Sequence, residues 1–196
     1  VDGLKRARRI SAARLLLQLE AARRAAEALA GVRHVFLKGI QLGGELYGDG
    51  VLRPAADVDL LIAAADRGAA LDALADAGFS PDPEEGQPPY QLTLAGHGAA
   101  LDLHWHLLSP ARRREPLSAP LLASRRRVDG LWLPDAGATL VAMLLQPAIS
   151  DHVTACLIHA VDLDRWLRRG SLDARRAFDL VARSGLKTAA WAMLEH

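Results

Sequence analysis

Apolar residues recur through the first thirty positions at helical spacing, at Leu15, Leu16, Leu17, Leu19, Ala22, Ala26 and Leu29, with arginines between them. The pattern predicts one long amphipathic helix over 4–30, broken at Gly31, whose arginines form a solvated face. The period then changes. Residues 33–38 read as a short apolar strand, and Ile40, Leu42, Leu46 and Tyr47 return to helical spacing over 40–47 despite Gly43 and Gly44. A second strand is predicted over 57–62 and a helix over 66–77 closing at Gly78. Residues 81–89 are a polar, proline-rich loop. Strands over 90–94 and 99–107 are expected to form a hairpin around Gly96-His97-Gly98, and 128–133 a smaller one turning at Asp129-Gly130. From Asp135 the pattern is helical: about 136–147, 151–168, 173–184 and 187 to the end, with Gly170 and Gly185 between.

This order predicts an α+β fold: a small mixed sheet with helices packed on one face, and a C-terminal helical subdomain. The expected division is 1–134 for the sheet-bearing domain with its N-terminal helix and 135–193 for the helical subdomain. Leu194-Glu195-His196 is expected to be a vector-derived tag remnant, so the natural chain is expected to extend further.

Composition narrows the picture by exclusion. Of 196 residues, 51% are hydrophobic, enough for a packed core, and the formal net charge of +1 gives no basic field to support a nucleic-acid partner. The single cysteine, Cys156, excludes an internal disulfide and a cysteine zinc site, and is expected to be a small buried hydrophobe. No stretch has the apolar length to cross a bilayer and no signal peptide is visible, so the expectation is a cytoplasmic protein without a membrane partner.

Candidate chemistry concentrates in Asp57-Val58-Asp59. Alternation along a strand puts both carboxylates on one face, where they repel each other unless a cation lies between them. Oxygen ligands favour Mg²⁺ or Mn²⁺. The plainer reading is that one Asp ends a loop and the other caps a neighbour. Upstream, Lys38-Gly39 closes a strand and opens a helix, an arrangement suited to phosphate. Downstream, Asp102, His104 and His106 alternate with Leu101, Leu103 and Trp105, so Asp102 can bring a third carboxylate.

Taken together, Leu37-Lys38-Gly39, Leu46-Tyr47-Gly48-Asp49, Arg53, Asp57-Val58-Asp59-Leu60-Leu61-Ile62, Ala77-Gly78-Phe79 and Leu101-Asp102-Leu103-His104-Trp105 resemble the uncharacterised nucleotidyltransferase family of the polymerase-beta-like superfamily. The resemblance covers residues 30–110 well and the helical remainder more loosely, where Asp162-Leu163-Asp164-Arg165-Trp166-Leu167 is similar to a family helix bearing an Asp. It implies a nucleotidyltransferase sheet with Asp57, Asp59 and Asp102 as metal-binding and catalytic carboxylates. Lys38, Gly39, Arg53 and His104 are assigned to the nucleotide. Ile40 stands where the wider superfamily has a serine after the glycine.

The expected activity is metal-dependent transfer of a nucleotidyl group from a nucleoside triphosphate to an acceptor, whether small molecule, peptide or protein. The alternative is a degenerate member that binds nucleotide or a toxin–antitoxin-type partner without turnover. His97, His104 and His106 have no ligand spacing, so no histidine is assigned to the metal. His152, His159 and Asp162 are expected on a packed helix face, Arg112–Arg114 and Arg125–Arg127 in solvated loops, and the four tryptophans in cores.

Overall fold

A computed structural model describes residues 2–83, 88–150, 157–169 and 174–195. Cys156, His152, Gly170 and the start of the helix expected over 151–168 lie outside the described residues.

The chain opens with α1 (Asp2–Ala28), then β1 (His34–Leu37), α2 (Lys38–Tyr47), β2 (Val58–Ile62), α3 (Arg67–Asp76), β3 (Ser80–Pro81), β4 (Gln91–Gly96) and β5 (Ala99–His104). After these come α4 (Ser118–Ala123), the hairpin β6 (Arg126–Val128) and β7 (Leu131–Leu133), and the helices α5 (Ala136–Ser150), α6 (Leu157–Leu167), α7 (Ala174–Ser184) and α8 (Lys187–Glu195). Both hairpins turn through two successive left-handed residues, His97-Gly98 and Asp129-Gly130, the geometry that matches strand twist.

The five strands of the main sheet lie in the order β1-β2-β5-β4-β3. β2 and β5 are parallel, and the other neighbours antiparallel. Every residue of β1 and β2 is buried, and a strand apolar on both sides needs cover on both. Here the structure departs from the expectation of helices on one face. Ala21, Ala22 and Ala25 of α1 and Ala70 and Leu74 of α3 share a core with Phe36, Leu60, Leu101 and Leu103. On the opposite face Val35, Leu37 and Leu61 share a second core with Leu121 of α4 and Leu140, Val141 and Leu144 of α5. That second core runs on without a break into Trp166, Leu180 and Met193 of α6, α7 and α8.

Several boundaries also differ. Asp57 precedes β2, and β5 stops at His104 where a strand to 107 was expected. α5 continues through Pro147 to Ser150, and its start is fixed by Asp135, whose Oδ1 accepts from the Ala138 amide at 2.8 Å. α4 and the two-residue β3 have no strong sequence pattern. Trp105 and Trp166 are buried as expected, while Trp191 is 60% exposed. Trp132 is half-buried between the guanidinium groups of Arg125 and Arg127, at 4.4 and 5.8 Å from the ring. Arg126 pairs with Glu45, so the second arginine triplet is packed against the fold instead of free in solvent.

Candidate active site

The site forms where β2 and β5 run side by side. Their parallel register sets Asp59 opposite Asp102, on strands about 5 Å apart. His104 follows Asp102 by two residues and therefore shares its face. One ligand atom each from Asp59, Asp102 and His104 lie within 4.8 Å of one another. Sequence reasoning kept histidine out of the metal set because no ligand spacing was visible. The pairing of the two strands supplies the proximity that spacing along one strand did not reveal.

Asp59 is buried at 3% exposure. Its Oδ1 takes the Lys38 ammonium at 3.0 Å and His104 Nε2 at 3.1 Å. Burial would raise its pKa, but Lys38 and His104 outweigh burial and hold the carboxyl well below the usual range. The other nitrogen of the His104 ring, Nδ1, is buried with no hydrogen-bond partner among the described residues. His104 thus faces Asp59 across the sheet. Asp102 is held by Thr93, its neighbour in the β4–β5 register, whose hydroxyl donates to Oδ1 at 2.6 Å.

Asp57 sits half-buried just ahead of β2 and outside the group of three converging ligand atoms. Burial pushes its pKa up, the charges of Asp59 and Asp102 push further, and Lys38 and His104 oppose them, leaving it at about 6.

Lys38 opens α2 with φ of 46°, a left-handed backbone that a side-chain-bearing residue rarely adopts. Such strain costs about 1–3 kcal/mol and is found where a residue must point in one direction. The Lys38 ammonium meets Asp59 Oδ1 at 3.0 Å. The N-cap, Leu37, supplies no side-chain bond to the first amides of α2. Gly39 is required for a different reason. A Cβ there would stand 2.5 Å from the Ala55 Cβ, so the loop before β2 packs where a side chain would be.

Arg53 has Asp162 as its ion-pair partner. It is buried and gives both Nε (2.9 Å) and Nη2 (2.7 Å) to Asp162 Oδ2 on α6. Tyr47 donates to the remaining Asp162 oxygen at 2.7 Å, and burial with that bond raises the Tyr47 hydroxyl to about 12. His106 accepts from Arg113 at 3.1 Å and is separate from the Asp59 cluster.

Beside Lys38 a cavity opens between α2, α5 and α6, with about 560 Å³ of empty space including its mouth. Its polar lining includes Gln41, Thr139, Gln146 and His159, and its apolar lining includes Leu42 and Met143. Neither glutamine was singled out from sequence, because glutamine in a helix has no motif. Gln41 Nε2 donates to Thr139 Oγ1 at 2.6 Å and to Glu45 Oε2 at 3.0 Å.

The family of uncharacterised nucleotidyltransferases matches residues 1–196. The chain belongs to that family. Among solved structures it is similar to the antibiotic-resistance factor ANT(2″)-Ia in solution, with 16% identity and a TM-score of 0.59 over 95% of this chain and 97% of that one. The same factor crystallised with adenylyl-2″-tobramycin gives 15% identity and a TM-score of 0.58 over 88% and 97%. An antigenic nucleotidyltransferase-like protein from Paracoccidioides brasiliensis gives 17% and 0.51 over 90% and 92%. At these identities the likeness establishes a nucleotidyltransferase fold. No curated protein matches the chain. Among the described residues no helix is long and apolar enough to cross a membrane.

Proposed function

We propose that this nucleotidyltransferase-family protein is an active, metal-dependent enzyme that moves a nucleoside monophosphate from a nucleoside triphosphate to an acceptor hydroxyl or similar nucleophile. The observation that carries the proposal is the convergence of Asp59, Asp102 and His104 beside Lys38. A structural carboxylate cluster of this kind would be costly. The two carboxylates are the oxygen donors that Mg²⁺ or Mn²⁺ prefers, His104 orients one of them, and the ammonium at 3.0 Å from Asp59 already marks a cation position.

Asp59 and Asp102 would hold the ion with His104 against it, and Asp57 adjoins them. A divalent ion there would neutralise phosphate charge and make the acceptor hydroxyl easier to deprotonate. Asp102, held by Thr93, accepts the proton of the acceptor hydroxyl. The acceptor oxygen bonds to the α-phosphorus, the bond from that phosphorus to the bridging oxygen breaks, and pyrophosphate leaves. Lys38 reaches the phosphates once it is released from Asp59, as a mobile point charge. The uncapped amides at the start of α2 lie beside it, where anions are favoured.

The similar fold of ANT(2″)-Ia, which was crystallised with adenylyl-2″-tobramycin, is consistent with a small-molecule acceptor. The test is a screen of the four ribonucleoside triphosphates with Mg²⁺ or Mn²⁺, scored for pyrophosphate release and self-labelling. Nucleotide binding without pyrophosphate release under any condition, with candidate acceptors included, would leave a binding module as the better description.

A further inference from the structure

Asp59 needs a cation beside it whether or not a metal ion is bound. It is buried, and an ionised carboxylate at that depth is costly without a positive partner. Within the protein that partner is the Lys38 ammonium, 3.0 Å from Oδ1. Burial opposes ionisation of Asp59, and Lys38 leads the contacts that overcome it. Asp59 is also one of the three residues whose ligand atoms converge within 4.8 Å. The ammonium and the metal position therefore share one carboxylate.

Their charges make sharing unfavourable. A divalent ion coordinated by Asp59 would stand within a few ångströms of an ammonium on the same group, where like charges repel strongly. Lys38 can leave. Its side chain is half-exposed, it sits on a flexible four-carbon stem, and it lines the mouth of the cavity between α2, α5 and α6. His104, the other contact of Asp59, is buried in β5 and holds its place. Arg53 is not a replacement for the departing lysine, because it is buried and bound twice to Asp162.

We propose that Lys38 is a built-in counter-ion, which holds the metal position in the empty protein and is exchanged for the divalent ion when a triphosphate binds. The inference rests on the nucleotidyl-transfer reading of the site and adds how its two ligands are coupled. A divalent ion on Asp59 drives the ammonium off and leaves it for phosphate. A phosphate that takes the ammonium clears Asp59 for the ion. By linkage each ligand strengthens the other by the same factor. Either ligand alone meets a cost that the other removes, so the empty site resists taking a metal ion without its substrate.

The test is Mn²⁺ binding without nucleotide, read from the resonance of free Mn²⁺, for the full chain and for Lys38→Met and Asp59→Asn. Lys38→Met keeps the side-chain length and the left-handed backbone and removes only the charge. It should bind Mn²⁺ about tenfold more tightly than wild type, within the range of such couplings. In the absence of metal the same variant should bind inorganic tripolyphosphate about tenfold more weakly. The two changes have opposite signs, and a lysine that serves phosphate alone would give only the second. Without metal Lys38→Met should melt below wild type, and Mn²⁺ should raise its melting temperature by more than it raises that of wild type. A variant that folds only with Mn²⁺ would also support the exchange, since the ion has then replaced the ammonium. Lys38→Met binding Mn²⁺ no more tightly than wild type, with Asp59→Asn still weakened, would overturn the exchange and leave the metal site standing. Equal Mn²⁺ binding in all three would put the ion away from Asp59 and overturn the metal-site reading as well. Binding absent even from Lys38→Met would overturn the exchange, and pyrophosphate release by wild type would then decide the nucleotidyl-transfer reading by itself.

Discussion

Two buried aspartates in this protein have opposite surroundings. Asp162, on α6, has a partner for each oxygen: Arg53 twice on one and Tyr47 on the other. Asp59, at the centre of the sheet, takes a half-exposed lysine and a histidine on the same oxygen, and that histidine's second nitrogen has no partner among the described residues. The first is a closed arrangement with a charge fixed by a planar guanidinium and an aromatic hydroxyl. The second is open, and its cation sits on a flexible stem that can move away. Burial alone does not distinguish a structural carboxylate from a reactive one. On the proposed function, the number and mobility of the partners are what separate the two.

The sharpest way to break this comparison is to remove each centre in turn. Asp59→Asn should lower turnover about a thousandfold, equivalent to about 4 kcal/mol of barrier. The measurement is steady-state pyrophosphate release, and near-normal turnover would move the metal elsewhere. Arg53→Ala should act on the fold. Leaving Asp162 buried and unpaired is expected to cost about 3 kcal/mol, or roughly 6–12 °C in melting temperature for a chain of this length. A normal melting temperature with weakened nucleotide binding would instead make Arg53 a phosphate ligand.

The contrast also explains which parts were legible in the sequence. Asp59 and Asp102 stood out because acidic residues interrupt apolar strands, and the family resemblance located them. The Arg53–Asp162 pair joins residues 109 apart, and nothing local in either segment announces the other. His104 was noticed but left out of the metal set, since its proximity to Asp59 comes from strand pairing. Gln41 and Gln146 gave no signal, because a single amide on an apolar helix looks like any surface residue until the helix is packed. The cover on both faces of the sheet was present in the unbroken apolar run of β2, which alternation at its acidic start obscured.

Lys38 tests the mobility half of the comparison. Its ammonium serves Asp59 in the free protein and is expected to serve phosphate when nucleotide binds. Lys38→Met should weaken nucleoside triphosphate binding by about tenfold, or about 1.4 kcal/mol. Lys38→Gly, which accepts the left-handed backbone at φ of 46° without strain, should lose binding to the same extent while recovering fold stability. Unchanged calorimetric affinity in both would tie Lys38 to Asp59 alone.

The smallest effect separates Asp57 from Asp59. On like-charge repulsion alone, either Asp→Asn change would be tolerated by the metal-free fold. The structure makes them unequal, because Asp59 has a cation and Asp57 has mostly burial and negative neighbours. Asp57 titrates at about 6 in the folded protein against an ordinary 3.8, so the folded state holds this proton more tightly than the unfolded one. Its contribution to stability therefore falls as pH rises from about 4 to about 6 and stays low above that. Asp57→Asn removes this loss. The variant should melt with wild type near pH 4 and a few degrees above it at pH 7 without metal. Asp59 has the opposite slope, with stability lost as pH falls, but it is present in both proteins and cancels in their difference. If Asp57 shares the ion, added Mg²⁺ or Mn²⁺ should stabilise wild type more than the variant and narrow the gap. A gap that is constant with pH would mean that Asp57 stays ionised throughout and lies outside the field of the other two carboxylates.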